Sequence, residues 1–74
     1  MKKYMEIVEY IPIEEIGTLE PTMVRIEVQN EQEARNIYPE YEGIFEGKQY
    51  FVQYHEHKHQ EHKPCVLKVL KEVM

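Results

Sequence analysis

The sequence has no serine, no aspartate and no tryptophan, and Cys65 is its one cysteine. The absence of serine excludes a serine-nucleophile triad, and the absence of aspartate excludes a calcium loop of the EF-hand type. The three glycines, at positions 17, 43 and 47, do not form a glycine-rich phosphate-binding loop. A single cysteine forms no intrachain disulfide, which excludes the disulfide-rich scaffolds of small secreted proteins.

Long apolar runs are also missing. Glutamates at positions 6 and 9 interrupt the apolar segment that a signal peptide needs. No stretch approaches the ~18 consecutive apolar residues of a membrane helix. We therefore expect a cytoplasmic protein with no membrane partner.

The length of 74 residues allows one domain, residues 1–74, with one small core. A core of this size without disulfides contributes roughly 3–5 kcal/mol, so association between copies is a natural way to bury more apolar surface. We expect a homo-oligomer, in the simplest case a homodimer.

The formal net charge is −5, and it is unevenly distributed. Residues 1–46 contain eleven glutamates against four Lys or Arg, whereas residues 47–74 contain three glutamates, five lysines and all four histidines. The acidic balance disfavours duplex DNA as a partner. RNA is disfavoured as well, because Arg25 and Arg35 both lie in the acidic part. Weak binding of single-stranded RNA through the six tyrosines remains an alternative.

The first half of the chain predicts two strands and one short helix. Residues 3–11 alternate in polarity, and residues 22–29 do so more clearly, with three apolar side chains on one face, Val24, Ile26 and Val28. Residues 12–21 are expected to form the loop between them. Asn30 followed by Glu33 resembles a helix start, and Pro39 is expected to end the helix.

The second half predicts a β-hairpin and a final strand. Residues 41–45 and 48–57 are expected to pair around Glu46-Gly47. One side of this hairpin is apolar and is expected to face the core, namely Tyr41, Phe45, Tyr50, Val52 and Tyr54. Residues 65–73 fit both a strand and a helix, and their valine content favours the strand. The predicted fold class is α+β, with a small antiparallel sheet of about four strands and one short helix in the order ββαββ.

Four histidines and the cysteine form the one unusual motif, in the order His55, His57, His59, His62 and Cys65. With Tyr50, Val52 and Tyr54 in the core, the first three histidines project to the opposite face. Alternate strand residues stand ~7 Å apart, so a His-x-His pair can share one zinc, nickel or copper ion, while further ligands must come from elsewhere. The plainer interpretation is a solvated strand end and loop, and a proton-sensitive interface is a third.

No other pattern points to catalysis. The neighbouring glutamates Glu14–Glu15 and Glu40–Glu42 flank loops and prolines, where solvated charge is the ordinary outcome, and Cys65 is expected to behave as a buried residue. The sequence therefore predicts an accessory or interaction module, not an enzyme, that binds another protein or itself. Metal binding through the His55–His62 segment is the alternative, with zinc as the possible cofactor.

Overall fold

A computed structural model describes residues 1–11, 20–57 and 66–74. Its four strands are β1 (Lys2–Glu9), β2 (Met23–Glu27), β3 (Tyr50–His57) and β4 (Val66–Val73), and its α-helix is α1 (Glu31–Ile37). The strands form one antiparallel sheet in the order β2-β1-β3-β4, so that β1 and β3 are central. The predicted four-stranded antiparallel sheet with one short helix is confirmed, and so is the preference for a final strand.

The predicted hairpin around Glu46-Gly47 is wrong. Two 3-10 helices, Tyr38–Glu40 and Glu42–Phe45, follow α1, and the second lies where a strand was expected at residues 41–45. The order ββαββ is therefore not exact, because these two helices are inserted between α1 and β3. The backbone N–H groups of Ile44 and Lys48 donate to the carbonyls of Tyr41 and Phe45, three residues earlier. Local hydrogen bonds therefore replace the expected cross-strand pairing. Gly47 does adopt a positive φ, 78°, in the turn that follows the second 3-10 helix.

The core lies between the sheet and the helical layer. Eight side chains are buried there: Met5, Ile7, Val28, Ala34, Phe45, Tyr50, Val52 and Tyr54. Tyr41, Val24 and Ile26 pack against them while remaining partly exposed. The apolar faces predicted for residues 22–29 and for the segment from Tyr41 to Tyr54 are confirmed by this arrangement.

The start of α1 follows its sequence signals. Asn30 is the N-cap, and its Oδ1 accepts a 2.9 Å hydrogen bond from the backbone N–H of Glu33. Arg35 Nε donates to Glu31 Oε2 at 2.8 Å one turn apart. Ala34 is the one residue of this seven-residue helix that is fully buried, so the cap and the packing of one small face define the helix.

Candidate functional site

One face of the sheet is not covered by the described helices. Ala34 of α1 and Phe45 of the second 3-10 helix belong to the same core, so both helices lie on one side of the sheet. Side chains alternate along each strand, and directly opposed residues share a face, so the strand pairing defines the other side. We call this side the open face. Its residues are Lys2, Tyr4, Glu6 and Val8 of β1, Met23, Arg25 and Glu27 of β2, Phe51, Gln53, His55 and His57 of β3, and Leu67, Val69 and Glu72 of β4.

A nearly buried carboxylate lies at the centre of the open face. The side chain of Glu6 is 2% exposed. Arg25 Nε donates to its Oε2 at 2.8 Å, Gln53 Nε2 donates to its Oε1 at 3.0 Å, and His55 Nδ1 lies 3.1 Å from Oε1. The register causes these contacts, because Glu6 is directly opposite both Arg25 and Gln53. A charged group that leaves water needs such partners, and they account for the burial of Glu6.

Aromatic rings extend this network along the face. The guanidinium carbon of Arg25 lies 5.3 Å from the centre of the Tyr4 ring, within the range of a cation–π contact. The Tyr4 and His55 ring centres are 6.2 Å apart. We call the connected set Tyr4, Glu6, Arg25, Gln53 and His55 the Glu6 cluster. Among the described residues, no buried side-chain nitrogen or oxygen lacks a hydrogen-bond partner, so the cluster is internally satisfied.

Apolar side chains surround the Glu6 cluster on two sides. Val8 lies opposite both Met23 and Phe51, which makes a continuous apolar row across three strands. Leu67 and Val69 lie on the edge strand β4, on the other side of the cluster. We call these five residues the apolar border. Met23, Leu67 and Val69 are 46%, 59% and 51% exposed, which is high for large apolar side chains on one sheet face.

The sequence-predicted metal residues are only partly described. His55 and His57 lie on the open face, as the strand pattern predicted, and their ring centres are 5.8 Å apart at nearly a right angle. His55 is already engaged with Glu6 and its side chain is 17% exposed. His59, His62 and Cys65 lie outside the described residues. Within the described ranges, no group of three or more His, Cys, Asp or Glu side chains is placed to hold a metal ion.

A second polar cluster lies on the helical side of the sheet. Glu42 Oε2 accepts hydrogen bonds from Tyr50 Oη at 2.5 Å and from Lys71 Nζ at 2.6 Å. Burial raises the pKa of Glu42, but the hydrogen bonds from Lys71 and Tyr50 more than offset this, and the pKa is lowered overall. The hydrogen bond to Glu42 also raises the pKa of Tyr50 and of Lys71. These contacts link the helical layer to β3 and β4, which is a structural role.

The Glu6 cluster was missed by the sequence analysis. Its one local signal is a glutamate in the middle of the alternating strand β1, on the side that also carries Tyr4 and Val8. The partners Arg25 and Gln53 lie 19 and 47 residues away in the chain, so only the strand register brings them to Glu6.

No helix in the described ranges has the length and apolar content needed to cross a bilayer. Comparison with protein-family models, with curated proteins and with solved structures found no match for this chain. The geometry of the open face is therefore the basis on which a function is proposed.

Proposed function

We propose that this chain is a protein-interaction module, not an enzyme, and that it binds its partner with the open face. The observation that carries the proposal is the apolar border, in which Met23, Leu67 and Val69 are each about half exposed on one sheet face. Leu67 and Val69 are neighbours on β4, and Met23 continues the row of Val8 and Phe51, so these side chains form two groups. Grouped apolar side chains that are exposed mark interaction sites more often than isolated ones do.

The polar centre of the face fits the same proposal. Protein interfaces combine an apolar contact area with hydrogen-bonded polar groups, and arginine and aromatic residues are enriched in them. Here Arg25 and Tyr4 are held by contacts within the chain, to Glu6 and to each other. A partner that covers the face would therefore meet polar groups that already have their hydrogen bonds.

The size of the open face is adequate for a small interface. β1, β3 and β4 have eight residues each and β2 has five. At about 3.3 Å per residue and about 4.8 Å between strands, the sheet has a flat area of roughly 500 Å². Side chains that project from it raise the accessible area toward the roughly 800 Å² per partner of a standard interface. RNA binding gains no support, because the open face carries two bases, Lys2 and Arg25, against three acids, Glu6, Glu27 and Glu72.

Capture of bound protein on the immobilised chain tests this proposal, with wild type, Leu67→Glu and Ile44→Glu compared. Ile44 is a matched control, because it is 55% exposed and lies in the second 3-10 helix, on the other side of the sheet. Extract from the organism that encodes the chain, and the untagged chain itself, serve as sources. We expect wild type and Ile44→Glu to capture the partner protein, and Leu67→Glu to fail to capture it. Equal capture by all three would overturn the proposal.

Transition-metal binding is the second candidate function, and the closeness of the His55 and His57 rings favours it. Neutral imidazoles suit zinc, nickel and copper, and two strand-borne rings make a partial site. Calorimetric titration with zinc, on wild type and on His57→Ala, tests it. A functional site requires sub-micromolar affinity and a zinc-dependent rise in the melting temperature, both lost in the variant. Weak binding that leaves the melting temperature unchanged contradicts it.

A further inference from the structure

We propose that the partner on the open face is a second copy of the chain, packed face to face about a two-fold axis that runs across the strands. This inference rests on the proposed function and names its partner. The axis crosses β2 between Arg25 and Glu27, and it crosses β4 between Leu67 and Val69.

The charge pattern of β2 is self-complementary about such an axis. Arg25 and Glu27 alternate along the strand and both lie on the open face, with side chains 53% and 61% exposed. A two-fold axis between them places Arg25 against the partner's Glu27, and Glu27 against the partner's Arg25. Two copies then form two opposite-charge contacts from one pair of neighbouring residues, which is the signature of an isologous interface.

The same axis also determines which residues of the other three strands meet across the interface. The register aligns Arg25, Glu6, Gln53 and Val69 in one row across the sheet, and Glu27, Tyr4, His55 and Leu67 in the next row. The two-fold rotation places the first row of one copy against the second row of its partner, and the second row against the partner's first row. Leu67 then meets the partner's Val69, so that the exposed apolar side chains of β4 cover each other. The ring of Tyr4 meets the partner's Glu6 row, in which the charge of the carboxylate is balanced by Arg25 of the same copy.

The molecule is thin in the direction perpendicular to its two longer dimensions. Its principal extents are 34 × 29 × 16 Å, so the third dimension is short compared with the other two. Two sheets that pack face to face lie about 10 Å apart, with strands aligned within about 30°. A dimer of this kind encloses Leu67, Val69 and the Glu6 clusters of both copies between the two open faces, and it places Val8 and Phe51 against the partner's Lys2 and the partner's His57.

A complementation experiment on β4 tests the axis, with sedimentation equilibrium as the measurement. Leu67→Glu alone places a carboxylate against the partner's Val69, and Val69→Lys alone places an ammonium against the partner's Leu67. We expect either change to weaken dimerisation by at least about tenfold, because each places two unpaired charges in an apolar contact. An equimolar mixture restores the dimer, because one contact of the mixed pair becomes Glu–Lys and the other remains Leu–Val.

Glu27→Lys supplies an independent readout that does not disturb the Glu6 cluster. Glu27 contacts Lys2 at 3.7 Å and is well exposed, so the variant is expected to fold. It places Lys against the partner's Arg25, and we expect a weaker dimer whose dissociation constant falls toward the wild-type value as salt rises. Ile44→Glu, on the helical side, should leave the association unchanged.

The outcomes separate this inference from the proposed function. A wild-type chain that sediments at its monomer mass of 9.0 kDa at micromolar concentrations overturns the dimer. Suppose that the chain is a monomer, and that Leu67→Glu fails to capture a protein that the wild-type chain captures from the extract. The proposed interaction module is then supported, with a different partner. A wild-type dimer whose single variants dissociate but whose mixture does not recover overturns the two-fold pairing. A dimer unaffected by both β4 substitutions removes the open face from self-association altogether.

Discussion

Arg25 and Glu6 form an ion pair whose two members differ sharply in exposure. Arg25 Nε donates a 2.8 Å hydrogen bond to Glu6 Oε2, and the side chains are 53% and 2% exposed. The desolvation cost therefore falls on the carboxylate, whereas the guanidinium keeps much of its hydration. Gln53 and His55 supply the remaining contacts to Glu6. The pair is thus a way of burying a carboxylate in a sheet face, and differs from an ordinary surface salt bridge.

We expect Glu6→Gln to lower the free energy of unfolding by roughly 1–3 kcal/mol, because charge-assisted hydrogen bonds become neutral ones and an amide group now faces other donors. Urea unfolding monitored by circular dichroism measures this. The matched control is Glu27→Gln on the same face, since Glu27 is 61% exposed and contacts Lys2 at 3.7 Å. Its effect should stay within about 0.5 kcal/mol. Equal losses in both variants would contradict the special status of Glu6.

The second 3-10 helix offers a test of the core through two neighbouring residues. Phe45 is fully buried, whereas Ile44 is 55% exposed. We expect Phe45→Ala to lower the unfolding free energy by roughly 3–5 kcal/mol, as large-to-small core substitutions do. Ile44→Ala should change it by less than about 0.5 kcal/mol. The same urea titration compares the two variants. A larger loss for Ile44→Ala than for Phe45→Ala would mean that Ile44, and not Phe45, packs against the sheet.

The N-cap of α1 should contribute measurably, because the helix has only seven residues. Asn30→Ala removes the acceptor of the Glu33 backbone N–H, and we expect a loss of roughly 0.5–2 kcal/mol in unfolding free energy. Asn36→Ala is the control inside the same helix, where Asn36 accepts an exposed hydrogen bond from Gln32. Alanine has the higher helix propensity there, so the control should be neutral or slightly stabilising. A loss from Asn36→Ala as large as that from Asn30→Ala would rule out a specific cap.

The strands could be predicted because their signal is local. Alternation of apolar and polar residues places Val24 and Ile26 on one side of β2, independently of residues that are distant in the chain. It does the same for Tyr50, Val52 and Tyr54 on β3. The segment before β3 was misread because its apolar spacing fits two structures. Ile37, Tyr41 and Phe45 recur every four residues, which continues the helical stripe of α1, while Tyr41 and Phe45 also fit one face of a strand. Tertiary packing of Phe45 decided between them.

The candidate site could not be predicted in the same way. Glu6 is joined to Arg25 and Gln53 by the pairing of three strands, and a shift of one residue in either register would separate them. The sequence drew attention to His55 as a metal ligand, whereas the structure places its Nδ1 3.1 Å from Glu6. The histidine motif is visible in the sequence because its members lie close together in the chain. The Glu6 cluster is not visible, because its members come from three strands.

Glu42 should make stability depend on pH in the acid range. Its pKa in the folded chain lies below the usual 4.5, so its contribution is fully present above that value and is lost as the pH falls through the lowered folded pKa. We expect wild type to lose more unfolding free energy below about pH 4.5 than Glu42→Gln does. Urea titrations at a series of acid pH values measure the difference. Glu46→Gln, at an exposed glutamate of the same segment, is the control for replacing a carboxylate by an amide.

Tyr54 should make stability depend on pH in the alkaline range. Burial raises its pKa to about 12, and the hydrogen bond from its Oη to Glu56 acts in the same direction. A raised folded pKa means that the contribution is complete below the usual value of 10.0 and is lost as the pH rises through about 12. In an ultraviolet titration of tyrosinate, we expect Tyr54→Phe to reduce the amplitude of late ionisation, to which Tyr50 also contributes because its hydrogen bond to Glu42 raises its pKa. Tyr10→Phe, at a tyrosine that is 48% exposed, is the control for the loss of one ring. If Tyr54→Phe leaves the amplitude of late ionisation unchanged, the Tyr54 hydroxyl is accessible to water, which contradicts the buried position of Tyr54 on β3.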